Sequence, residues 1–421
     1  MTSAARQPVT HDVLIVGGGP VGATLGALLA RQVDPAAAAR VLVLERALPP
    51  PLDGASSPTT AAAGLRVSAL SRASERVLAA AGAWPAVAAR RSAYERMHVW
   101  PEGGTPRGAG SLSFDASELA EPDLGCIVEN RVLQQAALDA LRSAGGTLAV
   151  GELRSLDFHA DAVDVQTSTG SYRARLVVGA DGAQSVARQL AGLDVRVEDY
   201  GQLAIVAVVR PQHPHEATAW QRFLGAGTLA LLPLAEGSCS IVWSLPEAEA
   251  RQQLACDAAE FSRRLTAASQ QVLGDLRLVG ERAAFPLRRL LAPRYAIERF
   301  ALVGDAAHVV HPLAGQGVNL GFLDAASLAE RLADARRQGE DPGALRVLRS
   351  YERWRKGDNQ AASAAFDGIN RFLSFGRGGS SAVLQRGMGW LDGLPLAKRW
   401  LIARALGLSG ELPEAARRRP G

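Results

Sequence analysis

The chain has 421 residues, more than one compact core accommodates, so two domains and a terminal extension are expected. It is 48% hydrophobic and 21% charged with a net charge of +4 at pH 7, which excludes a disordered chain. Its basic residues are nearly all Arg (Lys356 and Lys398 are the two lysines), and no basic cluster carries interleaved aromatics, which argues against a nucleic-acid partner. Cys126, Cys239 and Cys256 are far apart and form no CxxC, so a reduced compartment and no metal site are expected. Residues 1–10 lack the apolar core of a signal peptide, and no apolar run is long enough to span a bilayer. A cytoplasmic protein follows, with peripheral contact at the inner membrane left open.

Taken in order, Asp12–Val16 (DVLIV) reads as a buried parallel strand, followed at once by GGGPVG and a helical pattern. Gly17, Gly19 and Gly22 form GxGxxG between strand and helix, the setting in which a dinucleotide pyrophosphate meets a helix start. A second strand, Arg40–Leu44, ends at Glu45, which lies 23 residues after Gly22 and is placed to take a ribose hydroxyl. Residues 46–64 form a Pro/Ala/Ser-rich loop, and 66–84 read as an amphipathic helix headed by Arg66, which faces either a phosphate or solvent. Short strands follow at 97–100, 112–114 and 126–130. Arg131 then falls in the first turn of a helix, where the dipole disfavours a cation, so an anionic partner such as a pyrophosphate is expected.

Residues 147–178 alternate as strands and end in GADG, with Asp181 and Gly182 at the strand end. Asp181 either serves a nucleotide or caps the next helix. Four strand-like runs between 199 and 244, a helical stretch over 246–273 and a returning strand at 278–287 describe an inserted antiparallel sheet. Phe300–Val303 re-enters the first fold and leads into GDAAHVVHPLAGQGVNLG (304–321), a strand, glycine loop and helix start. Helical patterns continue to a tail from Ala416 that is expected to fray. His308 and His311 lie three residues apart without acids at metal-ligand spacing, so a structural role, bonding backbone carbonyls, is expected; His213 and His215 read as surface residues.

GGGPVG, GADGAQSVAR and GDAAHVVHPLAGQGVNLG, in this order, resemble the motifs of the FAD-dependent aromatic hydroxylases of the p-hydroxybenzoate hydroxylase type. RVSAL (66–70), LGCIVENR (124–131), YGQLAIV (200–206) and LALLPL (229–234) resemble the ubiquinone-biosynthesis hydroxylases within that group, and the likeness spans roughly residues 10–375. It implies an α/β fold: a Rossmann-like FAD-binding domain (1–92, 116–198, 291–340), an interleaved antiparallel β-sheet substrate domain (93–115, 199–290) and a C-terminal helical region (341–421). It implies FAD held at Gly17, Gly19, Pro20, Val21 and Gly22, with Glu45 on the adenosine ribose and Arg46 beside it. Arg66 and Arg131 would face the phosphates. Asp181 and Gly182 would lie near the pyrophosphate, Asp305 on the ribityl or pyrophosphate side of FAD, and Gly317, Val318 and Asn319 at the flavin pyrimidine edge. Pro312, Gly315 and Gln316 are the expected catalytic positions, in an apolar loop that keeps water from the reacting flavin. The implied reaction is ring hydroxylation of a polyprenylated phenol with NADPH or NADH and O2, through a flavin C4a-hydroperoxide. Hydroxylation of another phenol, and a non-catalytic flavin-binding assembly subunit, are the alternatives. Assembly with other ubiquinone-pathway proteins is left open.

Overall fold

The computed structural model describes residues 10–52, 64–108, 110–225, 227–310, 317–374 and 411–418. Its first sheet is built on apolar runs buried on both faces, the pattern that parallel strands covered by helices require. Strands β1 (His11–Val16), β2 (Val41–Glu45), β8 (Thr147–Val150), β11 (Ser171–Gly179), β17 (Ala296–Ile297) and β18 (Phe300–Leu302) run in the order β17-β18-β11-β1-β2-β8. The hairpin β9 (Leu153–Phe158) and β10 (Val163–Thr167) extends β11 on the antiparallel side. Helix α1 (Pro20–Arg31) is buried at every position from Gly22 to Ala30, because α5 (Asn130–Ser143) and α9 (Gly317–Arg337) flank it. The short helix α2 (Pro35–Ala38) leads into β2.

The second sheet runs β19 (His308–Val309), β16 (Leu276–Leu291), β12 (Arg196–Pro211), β15 (Cys239–Pro246), β14 (Gly227–Pro233), β13 (Thr218–Leu224), β5 (Arg96–Pro101), β6 (Leu112–Asp115). The expected antiparallel pairing holds except between β13 and β5, which are parallel. One face packs Trp220, Trp243 and Ile205 against α7 (Glu247–Ala255) and α8 (Ala258–Ala268). The other packs Val206, Val208, Ala230 and Leu232 against Leu65 and Ala69, beside a small sheet of β3 (Val67–Leu70), β7 (Gly125–Glu129) and β4 (Ser92–Tyr94). Helix α6 (Val186–Leu190) follows β11, and α10 (Leu345–Ser374) lies against α9.

Two expectations are corrected. The stretch 66–84 is not one helix: Val67–Leu70 pairs with β7 as a strand, and α3 (Arg72–Ala81) starts only after Ser71, whose hydroxyl caps it. Cross-strand pairing overrides the helical pattern there, and α4 (Trp84–Ala88) follows the αL cap at Gly82. Nor does the tail fray from Ala416. That residue is fully buried, Arg76 donates to its carbonyl at 3.3 Å, and Trp354 Nε1 donates to the Glu411 carbonyl at 3.0 Å. Residues 411–418 are thereby strapped across α3 and α9. The helices expected within 381–407 fall outside the described residues.

Under this strap Glu75 of α3 is buried with Asp123 between Arg72 and Arg91. Burial pushes the Glu75 carboxyl up to about 7, more than the two guanidinium groups offset. A carboxyl whose folded value exceeds its ordinary 4.5 works against the fold as pH rises through that interval. Glu75→Gln should therefore gain stability relative to the parent between about pH 4.5 and 7, by up to about 3 kcal/mol. Urea unfolding at several pH values checks this; a gap that stays constant with pH refutes it.

Candidate active site

The three glycine motifs emerge side by side. Val16 of β1 pairs with Gly179 of β11, and Gly179 pairs with Leu302 of β18, so GGGPVG, GADG and GDAAH leave the carboxyl ends of adjacent parallel strands. Ligands of open α/β sheets bind at such strand ends. Gly22 is obligatory, since a Cβ there would sit 2.0 Å from the Gly17 carbonyl oxygen. Gly19 caps α1, and among the described residues a Cβ on it would meet nothing within 4 Å. The first-turn N–H groups of α1 therefore border open space, a cradle suited to a pyrophosphate. Val21 wedges the two halves of the site together: a Cβ on Gly321 would lie 2.6 Å from its Cγ2, and one on Gly304 3.3 Å from its Cγ1.

Glu45 reaches this turn from β2 and accepts hydrogen bonds from the backbone N–H groups of Gly18 and Arg46. The Arg46 side chain is exposed beside it. Asp181 follows the capping alternative: its carboxylate accepts from Ser185 Oγ and from the Ala187 N–H at 3.0 Å, at the start of α6. Arg131 has its anionic partner within the protein, Glu129 Oε2 at 3.5 Å. Arg66 stands on the seam between the sheets, with its guanidinium carbon 4.9 Å from the Phe285 ring centroid. Gly182 has a φ of +83° in an open turn.

Asp305 sits in a 3-10 turn, Gly304–Ala306, and is exposed. The protein packed around it nonetheless raises its carboxyl, against the pull of His308 and Arg66. At the start of α9, a Cβ on Gly317 would meet nothing within 4 Å among the described residues, and Asn319 is buried. The Asn319 side chain is a latch. Its Oδ1 accepts from the Ser71 N–H at 3.0 Å and Ser74 Oγ at 2.7 Å, and its Nδ2 donates to the Ala69 carbonyl at 2.8 Å. Pro312, Gly315, Gln316 and His311 fall outside the described residues.

Residues that the sequence reading passed over hold this arrangement. Arg188 donates to the carbonyls of Ala306 at 2.8 Å and Ala183 at 3.0 Å, tying the GADG segment to the Asp305 turn. Gln134 Nε2 donates to the Gly18 carbonyl at 3.0 Å. His308 is structural, as expected, but its partner is the buried carboxylate of Asp324 rather than a carbonyl. An Arg inside GADGAQSVAR was the one available signal; Gln134 and Asp324 lie in ordinary helical patterns.

Residues 10–364 match the FAD binding domain family. The chain belongs to this family. It is 37% identical to the ubiquinone hydroxylase UbiL of Rhodospirillum rubrum, over 98% of this chain and 95% of that protein. It is 38% identical to the 3-demethoxyubiquinol 3-hydroxylase of Escherichia coli K12, over 86% of this chain and 89% of that one. The solved structure of p-nitrophenol 4-monooxygenase PnpA from Pseudomonas putida DLL-E4 superposes with a TM-score of 0.74, covering 95% of this chain and 99% of that one; at 19% identity it speaks to the fold. The protein is an FAD-dependent monooxygenase of the aromatic-hydroxylase type.

The latch yields a prediction. Asn319→Ala leaves the Ser71 N–H and Ala69 carbonyl without their buried partner, which should cost about 1–3 kcal/mol. Thermal unfolding of the apoprotein and FAD titration should both register it. An unchanged melting temperature and FAD affinity would rule the latch out.

Proposed function

We propose that the protein hydroxylates the aromatic ring of a polyprenylated phenol in ubiquinone biosynthesis, with NADH or NADPH as reductant and O2 as co-substrate. Its relatives supply the pathway. The observation that carries the substrate class is the 37% identity to the ubiquinone hydroxylase UbiL over 98% of this chain. The apolar sheet face packed on Leu65 and Ala69, with Val206, Val208, Ala230, Leu232, Val242 and Phe285, is core beside the Asn319 latch. The assignment takes the FAD-binding part as 1–92, 116–198 and 291–340, and the substrate part as 93–115 and 199–290.

Bound FAD supplies the reductive and oxygen-activating chemistry. The chain's own residues do the rest. At the start of α1, Gly19, Val21 and Gly22 offer N–H groups to the pyrophosphate, and Pro20, which has none, fixes the first turn whose dipole favours the anion. Glu45 accepts from an adenosine ribose hydroxyl with Arg46 alongside, and Arg66 and Arg131 set positive charge near the phosphates. Asp305, exposed on its turn, faces the ribityl or pyrophosphate side of FAD. The first turn of α9, Gly317 to Asn319, turns its N–H groups to the pyrimidine edge and favours negative charge there. Pro312, Gly315 and Gln316, whose sequence reads as an apolar stretch, are the catalytic positions this reading assigns, for keeping water from the reacting flavin. Asp181 and Gly182 shape the pyrophosphate side through the start of α6.

A membrane-borne substrate calls for peripheral contact with the inner membrane or with other proteins of the pathway. Among the described residues no helix is long and apolar enough to cross a bilayer. Removing the protein from cells should cause a prenyl phenol one hydroxyl short of the next intermediate to accumulate; unchanged quinone levels would overturn the substrate. With purified holoenzyme, NADH or NADPH should bleach the flavin under anaerobic conditions in the presence of a prenyl phenol. Failure with every phenol would overturn the hydroxylase reading.

A further inference from the structure

The geometry points to Asp324 as the positioning residue that shapes the flavin-facing Gly304–His308 turn and couples it to α10. This rests on the reading of Asp305 as a flavin contact. Asp324 lies on α9 and is fully buried, so its carboxylate must be satisfied by protein donors. Four donors converge on it. Oδ2 accepts from the Gly304 N–H at 3.1 Å and from His308 Nε2 at 2.5 Å; Oδ1 accepts from Arg355 Nε at 2.9 Å and Asn359 Nδ2 at 3.0 Å. The two ends of the turn that displays Asp305 are thus pinned to one oxygen atom.

The other oxygen belongs to α10. Arg355 is 1% exposed, and its remaining nitrogens donate to Asp358 Oδ2 at 3.0 Å and Asn359 Oδ1 at 2.9 Å. One turn earlier, the Tyr351 hydroxyl donates to the Leu302 carbonyl at 2.8 Å, at the end of β18. His308 reaches further: its backbone is in β19, paired with Leu291 of the second sheet, and its ring stacks on Tyr295 with centroids 6.0 Å apart. One carboxylate therefore joins α9, α10, the flavin turn and the edge of the substrate sheet. A buried ion pair adds little net stability compared with apolar packing, but removing one partner strands the other. What this network fixes is the shape of the turn.

The test compares FAD affinity with apoprotein stability in four proteins: the parent, Asp305→Ala, Asp324→Asn and His308→Gln. Asn at 324 keeps the volume but turns an N–H₂ group toward donors. It should weaken FAD binding at least about tenfold, the scale of one lost hydrogen bond to a charged group. His308→Gln removes the imidazole but leaves the other three partners of Asp324 in place and can offer its own amide as a fourth, so it keeps the test alive should Asp324→Asn not fold. A smaller loss of affinity, measured well below the unfolding temperature, is expected for it. Wild-type FAD affinity in His308→Gln and in any folded Asp324→Asn, with Asp305→Ala weakened, would overturn this inference and leave the Asp305 reading intact. Wild-type affinity in Asp305→Ala would overturn both.

Discussion

The site depends on three neighbouring parallel strands ending at one level. Because Val16, Gly179 and Leu302 are in register across β1, β11 and β18, turns from three distant parts of the chain open onto one edge. Helices then start from that edge, and their unpaired N–H groups point where a nucleotide can lie. Slip any of these strands by one residue and the buried faces invert along with the turns. Cofactor geometry is in this sense a by-product of sheet register.

Much of this was legible from local pattern. DVLIV, RVLVL and the apolar run at 300–303 are strands buried on both faces, and glycine spacing marks the turns that follow. The small sheet was not legible. Val67–Leu70 carries a pattern that also suits a helix, and its state is decided by β7, some sixty residues away. The docked tail was missed for a related reason. Basic composition suggested a solvated end, while the decisive contact is one small residue, Ala416, seated between α3 and α9.

Side-chain roles separated in the same way. Glycines declare themselves because their function is a backbone property. Polar residues do not, because the partner chooses the role: Asp181 serves its own helix, Arg131 meets Glu129, and Asn319 spends its amide on Ser71, Ser74 and Ala69. Asp324 looks from sequence like any acid on a helix, and only the packing of α10 reveals it as a buried hub.

The strap of residues 411–418 has a consequence for how the molecule comes into being. The first sheet has β1 at its heart and β18 next to its edge, so it cannot close until the chain past residue 300 has been made. Contacts of such long sequence separation slow folding, and the early strands wait with unpaired edges. The strap adds a contact of the same kind, since residues 411–418 pack on α3, far upstream in the chain, as well as on α9. The packing of the helices on the first sheet is in this way completed by chain that lies downstream of every strand they cover.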